Sequence, residues 1–243
     1  MRLKISAYIL SSLLALFCLP AFAQEGMVKE AVQEVIAKRT TPAFLQGMSL
    51  SVEIGSPIAH LLGEDALGTE AALRFSIRNK YFPVAELGYA KYDATHDETH
   101  INYKTAAPYM RVGADVNVLK DKTQNNRLFV GARLGFTTYS FDVKGPDIQD
   151  PIWHLSRPLD YTDLSTNRLW LEFVVGLEAE VLKNYHMGFN VRYKSKLKEK
   201  SLAEATPYFV PGFGCGGDTG FCISYYLTFD LSKKIQTTLP IKK

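Results

Sequence analysis

The 243-residue chain is poor in most of the features that mark a catalyst or a nucleic-acid binder. It has no Walker phosphate loop, no GxGxxG opening a helix, no HExxH and no paired CxxC; the Gly-rich stretch 212–220 carries no lysine at phosphate-loop spacing. Lys and Arg number 28 against 25 Asp and Glu, without a basic stripe interleaved with aromatics, which excludes a nucleic-acid footprint. Beyond the first 23 residues no apolar run approaches the ~20 residues that a membrane-spanning helix needs. Of three cysteines only Cys215 and Cys222 lie outside the N-terminal segment; an even pair within GCGGDTGFC of an exported chain leads us to expect a disulfide, the alternative being two loop thiols.

Export is expected from the N-terminus. Arg2 and Lys4 precede an apolar run from Ile5 to Leu19, and Ala21-Phe22-Ala23 is an A-x-A cleavage site, so residues 1–23 read as a signal peptide. A lipoprotein would need a small residue before Cys18, where Phe17 stands. Residues 24–47 place Val28, Ala31, Val32, Val35 and Ile36 at helical spacing, a short helical or disordered periplasmic segment that Pro42 ends.

From Met48 the period becomes two. Eight segments alternate apolar with polar or small residues, beginning at Met48, Ala71, Ala85, Met110, Leu128, Leu169, Met187 and Ile223, the last reaching Leu231. The connections between these cores alternate between long ones of 15 residues or more and short ones of fewer than ten, so long and short ones fall at opposite ends of a sheet. An even strand number with long loops at one end is the outer-membrane pattern. The expected fold is all-β: an eight-stranded antiparallel up-and-down transmembrane β-barrel over 48–231, followed by a periplasmic tail at 232–243.

Three features place the polar face inside. It collects Gly55, Gly88, Gly113, Gly131, Gly135, Gly176 and Gly188, which a crowded lumen uses beside large residues. It carries charges of both signs, expected to pair as an interior cluster: Glu53, Arg74, Arg78, Glu86, Arg111, Asp115, Arg133, Glu172, Glu178, Glu180, Arg192, Lys194 and Asp230. Aromatics gather near strand ends (Tyr81, Phe82, Tyr139, Phe141, Trp170, Tyr185, Tyr193), as interfacial girdles would. Eight strands leave a lumen that side chains fill, so no open pore is expected.

The pattern over 48–231 resembles the small outer-membrane barrels of the OmpA/OmpX type. The phrases KYFPVAELGY (80–89), YKTAAPYMRVGADVNVLK (103–120), DPIW (150–153) and PYFVPGFG (207–214) together resemble a domain-of-unknown-function family of outer-membrane proteins. That resemblance implies a barrel, an outer-membrane address and no catalytic residues. Such barrels usually end on an aromatic residue that assists assembly, whereas twelve residues follow YYLTFDL here.

These readings make the chain a non-enzymatic structural or surface-interaction protein, without cofactor or metal. Its partners are outer-membrane lipid, the barrel-assembly machinery and an extracellular protein or glycan, met by external loops 91–108, 138–168 and 195–222. Trp153, Tyr161, Tyr208, Phe209 and Phe213 are the candidate contacts. Two alternatives stand beside this. His154 and Ser156, with Glu172 orienting, would serve a lipid A-modifying enzyme. A soluble lipocalin-like periplasmic carrier would turn the apolar face inward. THDETH (95–100) holds ligand types for a divalent cation but reads as a hydrated loop.

Overall fold

The computed structural model describes residues 45–78, 80–119, 126–149, 156–202 and 205–231. The signal peptide, nearly all of the 24–47 segment, the tail, Trp153 and His154 lie outside them.

Eight antiparallel strands close into one ring: β1 (Leu45–Glu53), β2 (Ala66–Ile77), β3 (Tyr81–Thr95), β4 (Asn102–Asn117), β5 (Arg127–Gln149), β6 (Ser156–Leu182), β7 (Tyr185–Glu199) and β10 (Thr219–Asp230). Neighbours in sequence are neighbours in the ring, and β10 closes it by pairing with both β7 and β1. A two-stranded hairpin, β8 (Phe209–Val210) and β9 (Gly214–Cys215), lies between β7 and β10. A seven-residue helix, α1 (Gly55–Leu61), joins β1 to β2; Pro57 in its first turn suits a helix start. Among the described residues no helix is long and apolar enough to cross a membrane.

The faces are inverted relative to a water-soluble barrel. Leu87 is 65% exposed, Phe173 54% and Phe221 78%, whereas inward Asp115, Glu172 and Glu178 are 0% exposed. An outward apolar band around a charged interior suits a lipid surround. Among the described residues it leaves no apolar chamber of the kind a lipocalin-like carrier would need.

The strands outrun the expected segments. β5 and β6 pair from Arg127↔Glu178 to Gln149↔Ser156, so most of 138–168 is not loop but a two-stranded ribbon. Likewise β3 and β4 pair through Thr95↔Asn102, leaving only a short turn of the expected loop 91–108. Outward residues change from apolar Leu134 and Phe136 to Thr138 and Ser140, while hydrogen bonding continues. About thirteen further residues of each strand therefore rise beyond the apolar band, roughly 40 Å of strand.

Inward glycines sit directly across from inward aromatics. Gly88 pairs Tyr109, Gly135 pairs Trp170, Gly176 pairs Phe129 and Gly188 pairs Tyr226. A β-carbon at any of these four would overlap the facing ring. The expectation of interfacial girdles is corrected for Phe82, Tyr139, Phe141 and Trp170, which are buried in the lumen; Tyr81, Tyr185 and Tyr193 do face outward. Strand-end position alone cannot separate the two faces, and the register does.

Candidate functional site

The lumen is filled by a lattice of ion pairs drawn from seven strands. At its centre Glu86 of β3 stands 3.1 Å from Arg111, 2.6 Å from Arg133 and 2.8 Å from Arg192. Glu172 of β6 lies 2.9 Å from Arg111 and 3.4 Å from Arg192, and accepts the indole N–H of Trp170 at 2.7 Å. Glu70 of β2 binds Arg192 at 3.0 Å and Arg111, and accepts the Tyr109 hydroxyl at 2.9 Å. Arg111 Nε and Arg133 Nε approach their carboxylates closely but are poorly aligned for hydrogen bonds, so those contacts act through charge.

A second knot lies nearer the end with the short turns. Glu178 joins Arg74 at 2.7 Å and Arg127 at 2.6 Å, and Asp115 joins Arg133 at 3.0 Å and Arg74 at 3.7 Å. Asp230 meets Arg127 at 3.3 Å and His186 at 3.1 Å. Guanidinium groups also stack on inward rings: Arg74 on Phe129, Arg127 on Phe82, Arg111 on Tyr109 and Arg168 on Phe213. Buried charges are costly unless paired, and here nearly every carboxylate carries more than one base.

The opposite end, the mouth, is closed by the β8–β9 hairpin. Its carbonyls are gripped from the wall. Arg111 donates to Gly212 O at 2.8 Å, Lys194 to Gly212 O at 2.8 Å and Phe213 O at 3.0 Å, and Tyr103 to Phe209 O at 2.8 Å. Arg168, paired with Glu199, donates to Gly217 O at 3.1 Å. Gly212 has φ +80 and presses on the Tyr109 ring, a position where a side chain has neither conformation nor space. Phe209, Val210 and Phe213 thereby join Tyr139, Phe141 and Trp170 in one buried cluster.

The structure separates the expected site residues. Glu86, Arg74, Arg111, Asp115, Arg133, Glu172, Glu178, Arg192 and Asp230 meet in the lattice; Lys194 seats the hairpin instead. Arg78 is corrected: the chain turns there with φ 53, which leaves it exposed beyond the last lumen position. Glu180 sits half-buried at the β6 end, and Glu53 half-buried at the β1 end, where it accepts the Ser56 N–H at 2.8 Å. Of the proposed surface contacts, Phe209 and Phe213 are buried in the mouth; Tyr208 remains exposed against Tyr92 and Tyr103, and Tyr161 is exposed on the ribbon.

The expected disulfide is also corrected. Cys215 and Cys222 are free thiols. Pairing of β9 with β8 leaves Cys215 exposed, while the register Cys222↔Arg192 turns Cys222 toward the lumen, so the two point into different environments.

Glu70, Arg127, Arg168, His186 and Glu199 also take part and were not in the expected cluster. The first four lie one step outside the expected strand cores, in the same period-two phase as the inward residues. The Ser156 hydroxyl donates to Asp147 at 2.8 Å on the exposed ribbon. Glu172 lies sixteen residues along the same strand, about 50 Å away, so it does not complete a triad with Ser156. Among the described residues no group of three or more His, Cys, Asp or Glu is placed to hold a metal ion.

No curated protein matches the chain. Among solved structures, the crystal structure of neisserial surface protein A (NspA) is similar with 11% identity and a TM-score of 0.36, over 77% of this chain and 96% of that one. The family model described as "Domain of unknown function (DUF6048)" matches residues 5–234, and the chain belongs to that family.

Proposed function

We propose that the chain is an exported, non-enzymatic outer-membrane barrel that serves as a rigid structural or surface-interaction protein. The supporting observation is the division of β5 and β6: an apolar-jacketed lower part around a filled lumen, then a polar ribbon beyond the apolar band. A filled lumen suits an anchor better than a conduit. The ribbon, the β3–β4 turn and the Tyr92/Tyr208 rim are then the parts that meet an extracellular protein or glycan.

The test is refolding of residues 24–243 with and without detergent micelles, followed by unboiled-versus-boiled gel mobility and far-UV circular dichroism. A heat-modifiable β-rich species that needs detergent is expected. A monodisperse β-rich protein in plain buffer would sink the membrane reading. Shortening the ribbon by removing 143–161 should leave heat-modifiability intact while abolishing any surface-binding phenotype of the parent strain.

A further inference from the structure

The barrel wall is one strand short over part of its height. β1 ends at Glu53, its last pairings being Glu53↔Tyr226 on β10 and Val52↔Ala71 on β2. Toward the mouth β10 continues to Thr219 and β2 to Ala66, and among the described residues neither has a strand partner on its facing side there. The two edges stand two strand spacings apart, about 10 Å. Phe221 and Ile223 face outward along this stretch of β10, which puts the notch within the apolar band. Open sheet edges are not tolerated in hydrocarbon, and α1 covers these.

The cover is lightly fastened. Ile54 N–H donates to Tyr225 O, Ser56 N–H to Glu53 Oε1, and Gly68 N–H to Ser56 Oγ, each at 2.8 Å. No residue of α1 is buried. Ile58, Leu61 and Leu62 are exposed and extend the apolar band across the notch. Behind it lies a cavity of about 20 Å³, room for about one water, bordered by Glu53, Glu70 and Glu86 and by Arg74, Arg133 and Arg192. Glu70 is bound by Arg111 and Arg192, whereas Glu53 makes no ion pair among the described residues, and its bond runs to α1 itself.

We infer that the notch is a lateral portal, with α1 as its lid, through which the head of an ammonium-bearing amphiphile reaches Glu53 from the surrounding lipid. The apolar band and α1 accept the tail, and Glu53, a lumen-facing carboxylate with no ion pair among the described residues, accepts the ammonium. The Ser56 N–H holds only Oε1 of that carboxylate, and α1, which stands over the notch, must swing aside for the ammonium to reach the other oxygen. This inference rests on the membrane reading, so it is tested only on barrel already isolated as the heat-modifiable, detergent-dependent species; failure to obtain that species is failure of the earlier proposal alone.

The cysteine pair Ser56→Cys/Gly68→Cys, in a Cys215→Ser/Cys222→Ser background, locks the lid. A β-carbon at 68 stands 3.6 Å from that of Ser56, a disulfide-compatible separation. Binding of dodecylammonium, with dodecanoate as the anionic control, is followed by native mass spectrometry from a neutral detergent. One dodecylammonium is expected on the reduced protein, with at least tenfold weaker binding after oxidation, at least tenfold weaker binding in Glu53→Gln, and no uptake of dodecanoate. Equal binding by oxidised and reduced protein, an unaffected Glu53→Gln, or equal uptake of dodecanoate would overturn it. If the cysteine pair does not refold, Glu53→Gln against the parent chain decides alone.

Discussion

Glu86 shows why single residues matter in this lumen. Three arginines converge on its carboxylate, which is 2% exposed. Glu86→Gln keeps the shape but leaves those guanidinium groups short of one negative charge. Breaking a buried pair from one side costs about 3–5 kcal/mol, and urea unfolding of the refolded barrel should register a loss of that order. A loss well under 1 kcal/mol would mean that the lumen is solvated and the lattice unimportant. Gly135 tests packing in the same way. Its position has no room for a β-carbon against Trp170, whose indole is buried and bonded to Glu172. Gly135→Val, overpacking the lumen, should cost about 1–3 kcal/mol. In a Trp153→Phe background the emission of Trp170 should shift to the red as the ring is displaced; unchanged emission and stability would refute the glycine–aromatic pairing.

At the scale of elements, the hairpin and the wall are held by different forces. Below the notch at α1 the wall is a closed hydrogen-bonded ladder, whereas β8–β9 is seated through a few carbonyls, two of them on Lys194. Lys194→Met should therefore raise amide exchange at 208–214 without lowering the temperature of heat-modification; equal exchange in both proteins would show that the ring contacts alone seat the hairpin. The strand cores were legible because inward and outward residues differ in polarity from Met48 to Leu231. Their ends were not, because period two in hydropathy fades where outward residues turn polar at Thr138 although pairing runs on to Gln149. The helix GSPIAHL is too short to show a 3.6-residue period and contains a proline. Tyr139, Phe141 and Trp170 read as an interfacial girdle from their place near strand ends; only register, with Gly135 opposite Trp170, assigns them to the lumen. The lattice was legible as a balanced set of charges, but not its pairing, which joins residues as far apart in sequence as Glu70 and Arg192.

For the whole molecule the decisive matter is where closure resides. Two barriers lie in series along the barrel axis: the hairpin at the mouth and the ion-pair lattice below it. If the hairpin alone sealed the lumen, replacing residues 207–214 with a glycine–serine linker would produce steady single-channel conductance in a planar bilayer. The lattice argues otherwise, since Glu86, Arg111, Arg133, Glu172 and Arg192 interlock across the bore with only a few percent of their surface exposed. An ion could pass only by breaking several of these interlocked buried pairs at once, each costly to break from one side. The linker variant should thus stay as silent as the parent chain, while its mouth becomes open to water-soluble thiol reagents at Cys222. Conductance steps appearing on hairpin replacement alone would make β8–β9 the gate of a channel and the lattice its selectivity lining, and would replace the reading of the barrel as a closed anchor.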